Sequence, residues 1–409
     1  MILRRLVAAD TTLSVVLHGL KVVVALLLNW IVLNLFAVAD FVTWSVTSSI
    51  LVVATASDLG IGQYTVTRLI NTDRADWATE VSEGLSALLP LVLLAGLFVL
   101  VALDGPSMVY KASMALLLAG RIVTIPFAAT LNAANQFKIR KAIELIAYLL
   151  ALVAVGAIAL MGTDIHWALL SLNATFLLGA GLTVLAASRY VPLRRGLAIA
   201  PPRKAIGVFR AAVPFMANNL TGLLAYGGFI WLASLSLDEE NVAKLAVLHG
   251  FVLVNMYQLY DVFLKARQAD LIKPFLIRRY RMVNWLVMSA LPPAFVLVGR
   301  QALALIGNPV PIGLFEATLF GLFLACEMGN LFAQSVTQVN DEIAQRLKVY
   351  SALRVLLLTG FVVPAVGPAD QHPLIVLLTI LALVSLGTFL YLLAGMAKLP
   401  KSCIDIREG

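Results

Sequence analysis

The sequence is poor in charged residues: Asp, Glu, Lys and Arg together make up 13% of its 409 residues. Hydrophobic residues make up 61%, and the mean hydropathy is +0.94. A soluble domain cannot hide that much apolar surface, so the composition indicates an integral membrane protein. The chain is long enough for about a dozen spans of ~20 residues each. We therefore expect an all-α polytopic membrane protein.

Cysteines, metal-binding patterns and catalytic motifs are also scarce. Cys326 and Cys403 lie in segments too different in character to predict a disulfide. His18 and His249 have no metal-ligand spacing, so we expect no metal site. No GxSxG, P-loop or metal-spacing motif occurs, and outer loops such as Asp104–Ser107 are very short. A membrane glycosyltransferase, ligase or polymerase would need catalytic groups at the outer surface, so we expect no catalytic residues and no enzyme.

The distribution of bases predicts an orientation and two halves. Hydropathy predicts twelve spans, and most of the 30 Lys and Arg residues fall on the side of the N-terminus, so both termini should be cytoplasmic. The basic, proline-containing connection at residues 190–204 divides the chain into 1–200 and 201–409. Each half contains a long helix, a polar turn (Asn135 or Asn340), a basic cluster and another apolar helix. Such a parallel repeat predicts two six-span lobes around a central cavity, with alternating access by rocking of one lobe against the other.

The second predicted span carries a polar stripe. If Phe41–Leu69 is one helix, Asp58, Gly62 and Arg68 fall on the same face of it. A spanning helix with such a stripe should face a water-filled cavity rather than lipid. The alternative is that Asp58 pairs with Lys21 and holds two helices together.

Three more bases lie at membrane depth or close to it: Lys21 on the first predicted span, Arg121 on the fourth and Arg210 on the seventh. A charge at bilayer depth costs about 2.5–3.5 kcal/mol to insert, so it should face protein or water. Arg and Lys suit phosphate oxygens, and a low-dielectric wall strengthens that attraction. We therefore predict an anionic substrate. The predicted substrate-binding residues are Lys21, Arg68, Arg121, Arg210, Asn132 and Asn218.

Four acids would balance these bases or bind a coupling cation. They are Asp58, Asp261, Glu316 and Glu327. The coupling ion would be H+ or Na+, and we expect no other cofactor. Glu316 and Glu327 share one face of the tenth predicted span with several amides. That span should line the cavity together with the first, second, fourth, seventh and eighth, whereas the third, fifth, sixth, ninth, eleventh and twelfth should pack outside. Arg68 and Arg210 also fit the simpler interpretation of bases that anchor a helix end at the inner surface.

Several segments resemble a known family. DLGIGQYTVTRL is similar to the second span of bacterial polysaccharide flippases, and FRAAVPFMANNL is similar to the start of their seventh helix. The opening hairpin and the polar turns at Asn135 and Asn340 are also similar to those of the family. The chain therefore resembles, in layout along its whole length, the polysaccharide (O-antigen, Wzx-type) flippases of the MOP superfamily, relatives of the lipid II flippase and of the multidrug and toxin extruders.

This resemblance implies a twelve-helix, two-lobed fold in the bacterial inner membrane. It implies transfer of an undecaprenyl-diphosphate-linked oligosaccharide from the cytoplasmic to the periplasmic leaflet, with the diphosphate and sugars in a cationic cavity. Lys21, Arg68, Arg121 and Arg210 are the bases carried over from the resemblance by their positions. The partners would be the membrane, the lipid-linked oligosaccharide and other glycan-assembly proteins, and not nucleic acid. A chain of 409 residues lacks room for the two extra helices of the lipid II flippase, which disfavours lipid II.

Three alternatives compete with this interpretation. A MATE-like, cation-coupled multidrug exporter would need a cavity suited to organic cations, whereas here the bases are more central than the acids. A major facilitator transporter usually carries a glycine-rich basic motif after its second span, and INTDRADWATEVSEG has Asp73 and Arg74 without those glycines. A purely structural membrane protein would not need the polar stripes.

Overall fold

The computed structural model confirms the all-α fold class for the residues that it describes. These are residues 2–56, 60–102, 108–134, 136–222, 228–257, 260, 264, 274–299, 301, 304, 310–338, 346–358, 360–362 and 372–397. The chain divides into two compact units, Met1–Gly228 and Phe229–Gly409. Within the described ranges, 7 helices are long and apolar enough to cross a membrane, and the total of twelve spans stays a prediction. The seven are Val16–Leu35, Arg74–Val101, Met108–Ala133, Phe137–Leu160, Ile165–Ala187, Leu314–Thr337 and Pro373–Met396.

The first unit is a bundle of long helices. Its helices are α1 Ile2–Leu35, α2 Val38–Ala56, α3 Ile61–Asn71, α4 Trp77–Ala102, α5 Met108–Ala133, α6 Phe137–Leu160, α7 Ile165–Ala187, α8 Leu193–Gly196 and α9 Pro202–Gly222. Helix α6 packs against α1 and α7, while α5 packs against α4 and α7. Leu69, Trp77, Phe127 and Val191 are members of one buried core near the ends of these helices. Between membrane helices, such close packing supplies van der Waals contacts rather than a hydrophobic driving force.

The predicted second span is not one continuous helix. Helix α2 ends at Ala56, and α3 begins at Ile61 after Gly60, whose backbone is left-handed with φ 78° and ψ 3°. Glycine adopts this conformation at little cost because it has no Cβ. The prediction that Asp58 and Arg68 lie on one face of a continuous helix is therefore wrong, because the helix is interrupted at Gly60. Asp58 itself lies outside the described residues.

The central basic connection packs onto the first unit. Ser82 on α4 donates a 2.7 Å hydrogen bond to the carbonyl of Ala198, and helix α9 then packs against α3 and α4. The compact first unit therefore continues past the sequence-based boundary at residue 200. The division into lobes of residues 1–200 and 201–409 stays a prediction.

The second unit is organised around one buried helix. Its helices are α10 Phe229–Ser234, α11 Glu239–Val247, α12 Pro274–Ala294, α13 Leu314–Gln338, α14 Arg346–Arg354 and α15 Pro373–Met396. Helix α13 packs against α12 and α15, and α14 packs against α15. Phe332 and Val336 of α13 form a buried core with Phe389 and Leu392 of α15. The twelfth predicted span therefore packs directly on the tenth.

The break between α2 and α3 generates a test on stability. We expect Gly60→Ala to lower the free energy of unfolding by about 1–2 kcal/mol, because an L-residue is strained in the left-handed region. The buried thiol of Cys326 reports unfolding through a thiol-reactive dye in a Cys403→Ser background. Gly181→Ala is the matched control, since a Cβ there meets nothing within 4 Å, and it should not lower the unfolding temperature. Equal unfolding temperatures for both variants would contradict the assigned conformation of Gly60.

Candidate functional site

Three basic side chains of the first unit surround one carboxylate, and a fourth lies close to them. Glu144 on α6 lies 3.6 Å from Lys21 Nζ, 3.2 Å from Arg140 Nε and 2.9 Å from Lys141 Nζ. Arg121 of α5 belongs to the same group of bases, because Arg121 and Lys21 lie against two aromatic rings that contact each other. We call Lys21, Arg121, Arg140, Lys141 and Glu144 the basic cluster. It is built from α1, α5 and α6.

Two aromatic rings connect the bases of this cluster. The rings of Tyr148 on α6 and Phe176 on α7 lie 5.0 Å apart between their centroids. Lys21 Nζ lies 5.3 Å from the Tyr148 centroid, and Arg121 Cζ lies 4.7 Å from the Phe176 centroid. Each such cation–π contact is worth about 0.5–2 kcal/mol, the larger value applying where water is excluded. The aromatic pair therefore connects Lys21 of α1 with Arg121 of α5.

Small residues bring the supporting helices close together. A Cβ on Gly120, next to Arg121, would lie 2.6 Å from Leu177 Cδ1 on α7. A Cβ on Gly179 of α7 would lie 3.1 Å from the Cβ of Ala147 on α6. Glycine and alanine at helix contacts let membrane helices approach closely. The packing thus fixes α5, α6 and α7 around the basic cluster.

The basic cluster carries excess positive charge. Among the described residues, the four bases of the cluster share the one carboxylate of Glu144, so the cluster as described carries three more positive than negative charges. The side chains of Lys21 and Lys141 are only 15% and 11% exposed, so water screens them less than it screens surface charges. In a low-dielectric site, an added anion is attracted strongly to such a group. The cluster is therefore suited chemically to bind an anion with several oxygens.

The sequence prediction found two members of the cluster and missed the rest. Lys21 and Arg121 were predicted as binding residues, and the structure brings both to the same site. The expectation that the fifth and sixth spans pack outside stays a prediction: α6 and α7 are the least buried of the seven long apolar helices, and they nonetheless supply Glu144 and Phe176 to the cluster. The signal was present in the spacing of Arg140 and Glu144, an i, i+4 pair at the start of α6. Lys21 pairs with Glu144 in the described contacts.

The other predicted substrate-binding residues have different surroundings. Arg68 on α3 makes a two-pronged ion pair with Glu80 of α4, with 2.9 Å between Arg68 Nε and Glu80 Oε2. This geometry agrees with the simpler interpretation of Arg68 as an anchor. Asn132 on α5 has a buried Oδ1 that accepts no hydrogen bond from any described residue. Arg210 is exposed on α9, and the side chain of Asn218 lies outside the description.

Of the four predicted acids, Asp58 and Asp261 lie outside the described residues. Glu316 stands at the start of α13, where it accepts a 2.7 Å hydrogen bond from the backbone N–H of Gly313 and lies 3.4 Å from Lys244 Nζ. A carboxylate in the first turn of a helix also interacts favourably with the helix dipole. Glu316 thus stabilises the beginning of α13.

Glu327 forms a buried ion pair within the second unit. Arg354 of α14 donates two hydrogen bonds to its carboxylate, one of them 2.8 Å long at Oε2. The Ser385 hydroxyl of α15 donates to Oε1 at 2.5 Å, and the Asn330 amide lies 3.4 Å from the same oxygen. Glu327 is 0% exposed, so this part of the polar face of α13 lies in the protein interior and does not line a cavity. Within the described ranges, no group of three or more His, Cys, Asp or Glu is placed to hold a metal ion.

Comparison with solved structures shows which fold this is. A multidrug resistance MATE family transporter of the MOP superfamily, in an inward-facing conformation, is 14% identical with a TM-score of 0.58, over 92% of this chain and 93% of that chain. The eukaryotic MATE transporter AtDTX14 is 13% identical with a TM-score of 0.56, over 95% and 96% of the two chains. The lipid II flippase MurJ, in an inward closed conformation, is 11% identical with a TM-score of 0.64, over 95% and 88%.

No protein-family model matches the chain, and no curated protein matches it. The structural likenesses extend over nearly the whole chain and include both MATE transporters and a flippase. They confirm the expected fold class. The chain has the fold of MOP superfamily transporters.

The Glu327–Arg354 pair generates a second prediction. We expect Glu327→Gln and Arg354→Gln each to lower the free energy of unfolding by about 3–5 kcal/mol, because either change leaves a buried charge without its partner. The double variant should lose less than the sum of the two, since it leaves no unpaired charge. Thermal unfolding followed through Cys326 measures all three.

The control for this pair is Glu240→Gln. Glu240 forms an exposed pair with Lys244, at 3.0 Å, and its loss should cost less than about 1 kcal/mol. A Glu327→Gln variant with normal stability and no transport would contradict the structural role and assign Glu327 to coupling.

Proposed function

We propose that this protein is a flippase that moves an undecaprenyl-diphosphate-linked oligosaccharide across the bacterial inner membrane by alternating access. The observation that carries the proposal is the basic cluster, in which Lys21, Arg140 and Lys141 lie within 3.6 Å of Glu144 and Arg121 is linked to Lys21 through the rings of Tyr148 and Phe176. The MOP transporter fold supports it, and one neighbour with this fold is described as a lipid II flippase.

The charge of the cluster matches a diphosphate. A diphosphate esterified at both ends carries a negative charge on each phosphate, and these two charges would be balanced by the excess bases. Arg121 and Arg140 would form two-pronged hydrogen bonds with phosphate oxygens, while Lys21 and Lys141 would act as point charges. The lipid tail would stay in the bilayer, where hydrocarbon solvates it.

Glu144 would act as an internal substitute for the substrate. Its carboxylate engages Lys21, Arg140 and Lys141. An incoming phosphate would compete with this carboxylate for the same three cations. The competition weakens net binding, and a transporter needs weakened binding in order to release its substrate. The same carboxylate would neutralise part of the cluster after release.

The proposal also gives roles to the predicted residues outside the basic cluster. Arg68, Arg210, Asn132 and Asn218 would contact other parts of the substrate, and Asp58, Asp261 or Glu316 would serve H+ or Na+ coupling. The proposal also places both termini in the cytoplasm and includes other glycan-assembly proteins as partners. It excludes an enzymatic activity and a nucleic-acid partner.

A MATE-like multidrug exporter is the second candidate function. It is favoured by the two neighbours described as MATE transporters, one of them as a multidrug resistance transporter. The basic cluster disfavours it, since an organic cation would be repelled by uncompensated bases. Resistance of cells to cationic drugs is the measurement that separates the two candidates.

Arg121 provides the first functional prediction. In cells lacking their native flippase, we expect the wild-type protein to restore glycan export and Arg121→Gln to lower export about tenfold or more, because a charge-assisted hydrogen bond to phosphate is worth about 1.5–3 kcal/mol. Lys111→Gln is the matched control: Lys111 is a base of the same helix that binds the Leu100 carbonyl at 3.4 Å, about 15 Å along the axis from Arg121.

Membrane levels of each variant are measured alongside export. Loss of export with both variants at normal levels would remove the specific role of Arg121. No restoration by the wild-type protein, together with resistance to cationic drugs, would support the exporter instead.

Glu144 provides the second functional prediction. We expect Glu144→Gln to bind geranyl diphosphate about tenfold more tightly, a gain of ~1.4 kcal/mol, because the competing carboxylate is removed. Export should fall nonetheless, since release becomes slower. Titration calorimetry on the purified protein measures the affinity. An unchanged or weaker affinity in a folded variant would show that Glu144 does not compete with the phosphate.

A further inference from the structure

The connection between α7 and α9 is held against α4 by three polar contacts. Ser82 donates to the Ala198 carbonyl at 2.7 Å, and the Ala200 N–H donates to Ser86 Oγ at 2.8 Å. Lys204 Nζ donates to Glu83 Oε1 at 2.7 Å. These bonds come from one stretch of α4 and fix the direction of the connection over residues 198–204.

Buried residues of the same connection pack against the first unit. Gly196 is buried, and a Cβ there would lie 2.9 Å from Val191 Cγ1 and 3.4 Å from Phe127. Val191 and Ala200 are also buried. Because these anchors fix the backbone, the side chains between them have a defined direction.

The connection exposes large apolar side chains between its anchors. Leu197 is 47% exposed and Ile199 is 78% exposed, although each is next to a residue bonded or buried against α4. Ile206 on the following helix is 53% exposed. Apolar side chains held outward in this way are stabilised by contact with hydrocarbon rather than with water.

Basic side chains surround these apolar ones without nearby acids on the same segment. No Asp or Glu occurs from Ile165 to Leu237, and the bases Arg194, Arg195 and Arg203 are exposed. Glu83 of α4 faces the segment, but it is engaged by Lys204, and this hydrogen bond raises the pKa of Lys204 so that its charge is retained. The segment therefore presents a net positive, partly apolar surface.

We infer that this surface lies in the membrane–water boundary and binds anionic phospholipid headgroups. We define it as the linker surface, formed by Arg194, Arg195, Leu197, Ile199, Arg203 and Ile206. Leu197, Ile199 and Ile206 enter the acyl boundary, and the three arginines bind lipid phosphates. This combination of apolar and basic side chains is what an interfacial segment needs. The inference does not depend on the substrate carried by the basic cluster.

Anionic lipid is the proposed occupant because of the positive charge of the linker surface and the side of the membrane on which it lies. The distribution of Lys and Arg places the linker surface on the cytoplasmic face, where the leaflet carries anionic lipids. A basic residue near such a surface favours anionic over zwitterionic lipid by about fivefold. Three arginines should thus enrich anionic lipid around the linker surface several-fold, and anionic lipid would hold the start of α9 at the membrane.

Lipid quenching tests the inference in the full chain. A fluorophore on Ile199→Cys, in a Cys403→Ser background with the buried Cys326 retained, is reconstituted in nanodiscs. Quenching by brominated acyl chains is compared between brominated phosphatidylglycerol and brominated phosphatidylcholine. We expect strong quenching, with phosphatidylglycerol several-fold more effective than phosphatidylcholine. Substitution of Arg194, Arg195 and Arg203 by Gln should bring this ratio close to one.

Two other probe positions calibrate the measurement. Leu93→Cys lies on the exposed apolar side of α4, and its probe should be quenched equally by both lipids. Thr163→Cys lies in the exposed turn between α6 and α7, and its probe should be quenched little by either. If the triple variant does not fold, the labelled protein with all three arginines is measured at high salt. Salt screens the arginines, so the preference for phosphatidylglycerol should fall.

Three results would overturn the inference. Quenching at position 199 as weak as at position 163 would place the linker surface in water. Equal quenching by the two lipids at position 199 would remove anionic lipid as its occupant. A lipid preference unchanged both in the triple variant and at high salt would remove the arginines as its cause.

Discussion

A charge inside a membrane protein must be neutralised by the protein itself, because hydrocarbon does not solvate it. The two units meet this constraint in opposite ways. In the second unit, Glu327 and Arg354 neutralise each other, and Ser385 satisfies one more lone pair. In the first unit, Glu144 faces several bases and cannot neutralise them all. The Glu327–Arg354 pair is balanced, whereas the basic cluster as described is not, and our proposal is that an anionic substrate balances it.

The sequence was sufficient to predict the properties that depend on composition and on the position of a residue along a predicted span. It predicted the membrane class and the all-α fold, and it singled out Lys21 and Arg121 because a base at bilayer depth needs an explanation. It did not predict the pairing of Arg140 with Glu144, because the hydropathy profile left Arg140 in the loop before the fifth predicted span. In the structure α6 begins at Phe137, which places Arg140 one helical turn from Glu144.

Two other differences have equally physical causes. A hydropathy profile follows the burial of side chains and is blind to backbone direction, so it extended the second span through Gly60, where the chain turns out of the helix. A polar stripe on an apolar helix indicates a polar neighbour, but it does not distinguish water from another side chain. Glu327 was therefore expected at a cavity, and its neighbour proved to be Arg354. Whether a polar side chain of α13 faces water or another side chain depends on its contacts with Arg354 and Ser385, which are far from Glu327 in the sequence.

The central claim is that the excess positive charge of the basic cluster selects a lipid-linked diphosphate. Its most direct test is lipid transfer in proteoliposomes containing the purified protein. The transfer rate between leaflets is measured for a labelled prenyl-diphosphate oligosaccharide and for the same oligosaccharide linked through one phosphate. The account predicts that the protein accelerates transfer of the diphosphate lipid and has much less effect on the monophosphate lipid. Accumulation of an organic cation without any transfer of the diphosphate lipid would contradict it.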